Sequence, residues 1–122
     1  MSARILVAED DPSILLSLQF LLAKEGYQVT TASHGEQAWH LLLQAPPDLA
    51  LLDVMLPVVD GLELCRRIRK HERFAATRVM MLSARGRASE FDEGLQQGAD
   101  AYITKPFGTR ELLDGIARLL RR

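Results

Sequence analysis

Four places in this chain set polar groups directly behind an apolar run. Glu9, Asp10 and Asp11 follow "RILVA", Asp53 closes "LALLD", Ser83 and Ala84 follow "VMML", and Lys105 with Pro106 follows "AYIT". Clustered carboxylates repel one another and raise each other's pKa unless a cation neutralises them. Hard carboxylate and carbonyl oxygens select Mg2+ or a similar ion such as Mn2+, which keeps some waters and often works beside a phosphoryl group. A lysine adds a compact positive charge for phosphate oxygens, and a serine adds a hydroxyl donor. Carboxylates that become aspartyl-phosphates are an established form of covalent chemistry, and phosphoryl transfer asks mainly for positioning and charge stabilisation. On this reading Asp53 is the phosphoryl acceptor and Asp10 holds the metal, with Glu9 assisting through water. Ser83 and Lys105 hold the phosphoryl oxygens, and the small Ala84 leaves access to Asp53.

These groups can meet only if the chain brings its apolar runs side by side. "RILVA" (4 to 8), "QVTTA" (28 to 32), "LALLD" (49 to 53), "VMMLS" (79 to 83) and "AYIT" (101 to 104) have the length of strands. Three are apolar nearly throughout, the pattern of parallel strands buried on both faces. Between them lie segments of helical period with recognisable ends. Asp11 before Pro12 is an N-cap and first-turn signature, and Gly26 ends that helix, which spans about 12 to 25. Gly35 to Gln44, Gly61 to His71, Ala88 to Gln97 with Gly98 behind it, and Thr109 to Arg121 supply four more. Strands alternating with helices over short connections demand right-handed crossovers and a parallel sheet covered on both faces. In such a doubly wound domain, ligands collect outside the carboxyl ends of the strands, where strand order reverses. The acids, the serine and the lysine all stand at that edge. The three histidines, His34, His40 and His71, lie within or beside the second and third helices, so no hydrolase nucleophile and base pair competes there.

Composition narrows the function further. The 122 residues fit a single domain (1–122), and 48% hydrophobic with 25% charged residues is an ordinary globular mixture. Fifteen basic and 16 acidic residues give a formal net charge of −1, so no global field argues for nucleic acid or an anionic membrane. "MSARILVAEDD" has too short an apolar run for a signal peptide or a membrane span, and the chain reads as cytoplasmic. The one cysteine, Cys65, has no disulfide partner in the chain and reads as a small buried residue. Met80 and Met81 read as core.

Taken in order, "ILVAEDD", "LLDVMLPVVDG", "MLSA" and "YITKPF" resemble the receiver domain of two-component response regulators, over about Arg4 to Arg121. The words "MLP" and "YITKPF" look most like receivers attached to winged-helix DNA-binding domains. The resemblance implies a flavodoxin-like α/β fold, with five parallel strands in the order 2-1-3-4-5 and five helices. It implies that Asp53 accepts a phosphoryl group from a phosphohistidine on a sensor histidine kinase or phosphotransfer protein. Asp10, Asp53 and the backbone carbonyl of Met55 then hold the metal, with Glu9 in the acidic pocket. Ser83 becomes the switch hydroxyl, Tyr102 the switch aromatic, Lys105 the phosphate-binding amine, and the Lys105-Pro106 bond cis. Phosphorylation adds roughly −1.5 to −2 charges. Ser83 is drawn toward them and Tyr102 turns into the vacated space. The face of the fourth helix, fifth strand and fifth helix is remodelled for a downstream effector domain or protein.

Leu16 and Phe20 fall opposite Ile14, Leu18 and Leu21 on the first helix. They either dock the kinase, as the resemblance implies, or pack against the last helix or lie simply exposed. Related receivers dimerise through an apolar patch ringed by ion pairs on the fourth helix, fifth strand and fifth helix. Here Asp92 and Asp114 stand at patch positions and Phe91, Ala101 and Gly115 at charged ones. Asp100, Glu111 and Arg118 remain. Two acids in a symmetric interface meet desolvation and like charge, so the standard dimer is expected to be absent and Phe91 or Leu95 to serve another contact. Met55 and Arg85 flank the site, and their bulk predicts slow self-dephosphorylation. The domain is either free-standing or cut from a longer regulator. The second reading is an aspartyl-phosphate phosphohydrolase, disfavoured because such enzymes need an acid two residues after the nucleophile, where Met55 stands. A flavin-binding electron carrier comes third, without the hydroxyl- and glycine-rich loop it needs after the first strand.

Overall fold

The computed structural model describes residues 2–84 and 98–121. In chain order these are β1 (Arg4–Ala8), α1 (Pro12–Lys24), β2 (Gln28–Ala32), α2 (Gly35–Gln44), β3 (Leu49–Asp53), α3 (Gly61–Lys70), a 3-10 turn (Glu72–Phe74), β4 (Arg78–Ala84), β5 (Ala101–Lys105) and α4 (Thr109–Leu120). The strands form one parallel sheet in the order β2-β1-β3-β4-β5. Strand order and strand number agree with the expectation. Of the five expected helices, the one at Ala88 to Gln97 lies outside the described residues, as do Arg85, Phe91, Asp92 and Leu95.

The continuous apolarity of the central strands is explained by two cores, one on each face of the sheet. Successive strand residues alternate between them. Leu6, Ala50, Leu52, Val79 and Met81 join Ala38 and Leu42 of α2 and Leu64, Cys65 and Ile68 of α3. Ile5, Val7, Leu49, Leu51, Met80 and Leu82 join Leu18 and Leu22 of α1 and Leu112, Ile116 and Leu119 of α4. Both methionines and Cys65 are therefore core residues.

Local signals set the helix ends as the spacing predicts. Asp11 caps α1, its Oδ1 accepting from the N–H groups of Ser13 (2.9 Å) and Ile14 (3.3 Å). Asp60 caps α3 by accepting from Glu63 N–H at 2.8 Å. The face of α1 differs by one position. Leu22 is fully buried, while Leu21 is only partly so. Leu16 and Phe20 are 68% and 65% exposed, so they do not pack against α4.

Candidate functional site at the carboxyl edge of the sheet

β1 and β3 are central neighbours, and each delivers an acid to the same edge. Glu9 follows β1 directly and its N–H donates to the Ala32 carbonyl at 3.0 Å, which prolongs the β1–β2 ladder by one bond and leaves the residue fully buried. Asp53 ends β3 and is 4% exposed. Its Oδ1 accepts the Met55 N–H at 3.1 Å and its Oδ2 accepts from Lys105 Nζ at 2.8 Å. Lys105 closes β5, two strands away, and its Nζ also lies 2.5 Å from Glu9 Oε1. That second contact is an ion pair without hydrogen-bond alignment, which leaves Glu9 Oε1 short of a proper donor. Glu9 Oε2 accepts from the Asp11 N–H at 3.0 Å.

Burial dominates the electrostatics of Glu9. Desolvation pushes its pKa from 4.5 up to about 7, opposed by Lys105 and the Asp11 N–H and reinforced by the Asp53 charge. Desolvation pulls the Lys105 ammonium down, but Asp53 and Glu9 outweigh it and its pKa rises. Asp10 is exposed beside them, and oxygens of Glu9, Asp10 and Asp53 all come within 4.8 Å of one another. With Glu9 ionised, three carboxylates against one ammonium leave two negative charges on hard oxygens, one of them poorly partnered, a donor set that fits a divalent cation. The acids line an open cleft of about 490 Å3 together with Pro12, Ile14, Met55, Ala84 and Lys105.

The remaining expected site residues are placed as follows. Ser83 is buried beside this edge, next to Thr104 in the β4–β5 register, with its hydroxyl donating to the Ala84 carbonyl at 3.3 Å. Tyr102 is half-buried and packs on the α2–α3 core. The Lys105-Pro106 bond is cis. Asp100 is engaged internally. It pairs with Arg69 at 2.5 Å and accepts the Val79 N–H at 2.8 Å, which holds the approach to β5 against α3 and β4. Asp114, Glu111 and Arg118 are exposed on α4.

Sequence reasoning missed the close packing under the site. A Cβ on Gly61 would lie 2.2 Å from the Asp53 carbonyl oxygen, so α3 can start against the end of β3 only with glycine there. The signal available was Gly61 directly behind the cap Asp60.

An acid-lined cleft at the edge of a 2-1-3-4-5 parallel sheet, with a lysine reaching in from the last strand, defines a phosphoacceptor class of domain. The chain belongs to the response regulator receiver domain family, whose description matches residues 5–117. It is 43% identical to the phosphate regulon transcriptional regulatory protein PhoB of Rhizobium meliloti over the whole chain and 54% of that protein. It is 44% identical to the alkaline phosphatase synthesis transcriptional regulatory protein PhoP of Bacillus subtilis, over the whole chain and 50% of that protein. The chain thus spans about half the length of these curated relatives. Among solved structures it superposes, with a TM-score of 0.91 and 30% identity over all of both chains, on the receiver domain of a sensor histidine kinase from Pseudomonas aeruginosa, described with a magnesium ion coordinated in its active-site cleft. Receiver domains are phosphorylation-dependent signalling switches of two-component systems and phosphoacceptors rather than classical enzymes. They bind a divalent metal at an acidic pocket and work with histidine kinases and effector domains. No helix among the described residues is long and apolar enough to cross a membrane.

Proposed function

We propose that the domain accepts a phosphoryl group on Asp53 from a phosphohistidine of a sensor kinase or phosphotransfer protein. The observation that carries this reading is the Asp53 carboxylate, held by the Met55 N–H on one oxygen and by Lys105 on the other, at the floor of an acid-lined cleft. An Asp53 oxygen attacks phosphorus, the phosphorus–nitrogen bond breaks, and its electron pair returns to the imidazole. Lys105 moves from Asp53 and Glu9 to the new phosphoryl oxygens, and Ser83 supplies a second donor. Asp10, Asp53 and the Met55 carbonyl would hold Mg2+ or Mn2+, with Glu9 behind them. When bound, the ion supplies charge neutralisation for the phosphoryl oxygens.

The switch then runs through Ser83 to Tyr102 and the β5–α4 face, which a downstream effector reads. Leu16 and Phe20 contact the phosphodonor, because two large apolar side chains one turn apart at 68% and 65% exposure gain nothing inside the domain. The domain acts in the cytoplasm without touching nucleic acid or membrane itself, loses its phosphoryl group slowly, and forms a single receiver domain that is either free-standing or part of a longer regulator. A phosphohydrolase reading is not favoured, since Met55 stands where it needs a second acid. Intact mass after acetyl phosphate and Mg2+ tests the assignment. One phosphoryl group on the wild type and none on Asp53→Ala is expected, and labelling of both chains would refute it.

A further inference from the structure

Among the described residues, Val58 is the one residue other than glycine with a positive φ, at 71°. β-branched residues avoid that region. The Val59 N–H donates to the Pro57 carbonyl at 2.9 Å, and a positive φ spanned by such a bond is the rare, strained form of γ-turn. Val58 is 73% exposed, so burial of its side chain does not offset the cost. Strain of this kind persists where the surroundings over-determine it, and it concentrates at functional sites.

Those surroundings can be named. The Pro57 carbonyl also accepts the N–H of Gly35, the first residue of α2, at 3.0 Å. Contact there is so close that a Cβ on Gly35 would lie 1.7 Å from the Val59 carbonyl oxygen. At its base the loop closes through the Gly61 N–H on the Val54 carbonyl at 3.0 Å, beside Asp53. Met55 sits between Val54 and Leu56, which are 2% and 5% exposed, so its peptide is held by two anchored neighbours while its side chain points outward. The loop is therefore fastened at both ends, and the fastening at its tip requires the turn at Val58.

We propose that the positive-φ turn at Val58, tied to Gly35 of α2, is a positioning element for the divalent-ion site, fixing the Val54–Leu56 segment so that the Met55 carbonyl is presented to the ion. This rests on the reading of that carbonyl as a ligand. With residue 58 confined to negative φ the turn takes the opposite hand, which redirects the chain between Pro57 and Val59 away from Gly35, and the depth of Leu56 is no longer set by the contact with α2. The backbone conformation carries the role and the valine side chain does not.

Mn2+ titration by calorimetry and urea unfolding of the metal-free chain test this. Val58→Asn and Val58→Gly accept positive φ. Both should bind Mn2+ about as tightly as wild type, and Val58→Asn should unfold at higher urea because the strain is relieved. Val58→Pro confines φ to negative values and should weaken Mn2+ binding about tenfold, the scale seen when the support of a metal ligand is lost. Gly35→Ala, which forces α2 off the turn, should weaken it likewise and serves if Val58→Pro does not fold. Wild-type affinity in those two chains overturns the proposal, as does a Val58→Asn chain that unfolds before wild type. A wild-type chain that binds no Mn2+ overturns instead the metal reading on which the proposal rests.

Discussion

Replacing Glu9 with glutamine separates the electrostatic cost of the site from its use. The Glu9 carboxyl is fully buried, and desolvation lifts its pKa from 4.5 to about 7. Between those values the folded, metal-free chain keeps a proton that the unfolded chain has released, so stability falls as pH rises through this window. Below pH 4.5 the cost is absent and above pH 7 it is complete. At 1.36 kcal/mol per unit the penalty is roughly 3 kcal/mol. Glu9→Gln keeps the shape and removes the charge, so in EDTA its unfolding free energy from urea titration should match wild type at pH 4.5 and exceed it at pH 8 by up to that amount. Adding Mg2+ at pH 8 should narrow that gap, because an ion that binds only the folded chain stabilises it by about 2.7 kcal/mol at a hundred times its Kd, and Glu9→Gln, with weaker affinity, gains only part of that. Midpoints that run parallel for the two chains from pH 5 to 8 would refute the burial argument.

Further outcomes follow from the same geometry. Gly61→Ala drives a Cβ into the Asp53 carbonyl; it should lower stability by about 1–3 kcal/mol, the usual cost of overpacking, and slow labelling by acetyl phosphate. Exchanging the exposed Met55 for alanine should shorten the lifetime of the phosphorylated chain, read as inorganic phosphate release, and an unchanged lifetime would remove it as a shield against water. Leu16→Asp and Phe20→Ala should slow transfer from a phosphohistidine protein while leaving acetyl phosphate labelling intact; equal slowing of both would show damage to the site itself. With Mg2+ and beryllofluoride the domain should scatter light as a monomer or as a dimer through another surface, since the exposed Asp114 stands where the standard interface needs an apolar residue; a tight dimer through the expected fourth helix, β5 and α4 would contradict this.

Much of the site was legible because parallel strands place all their carboxyl ends on one edge. Once the five apolar runs were recognised, Glu9, Asp10, Asp53, Ser83 and Lys105 had to collect there whatever the details of packing. Helix ends were equally readable, since capping is local, as Asp11 before Pro12 and Asp60 before Gly61 illustrate. Helix faces were less so, because a turn of α1 offers several apolar residues and only contact with the sheet chose Leu22 over Leu21.

The sequence by itself determined the sheet, its covering helices and the set of residues at its edge, because period and punctuation are short-range properties. Only the tertiary structure decided how those residues pair. Lys105 reaches Asp53 across 52 positions and Arg69 reaches Asp100 across 31. Glu9 becomes a buried acid that burial makes costly to ionise, and Val58 is held at positive φ in a loop fastened to α2. Each depends on the register of strands and the depth of packing, which fix distances that no local pattern records.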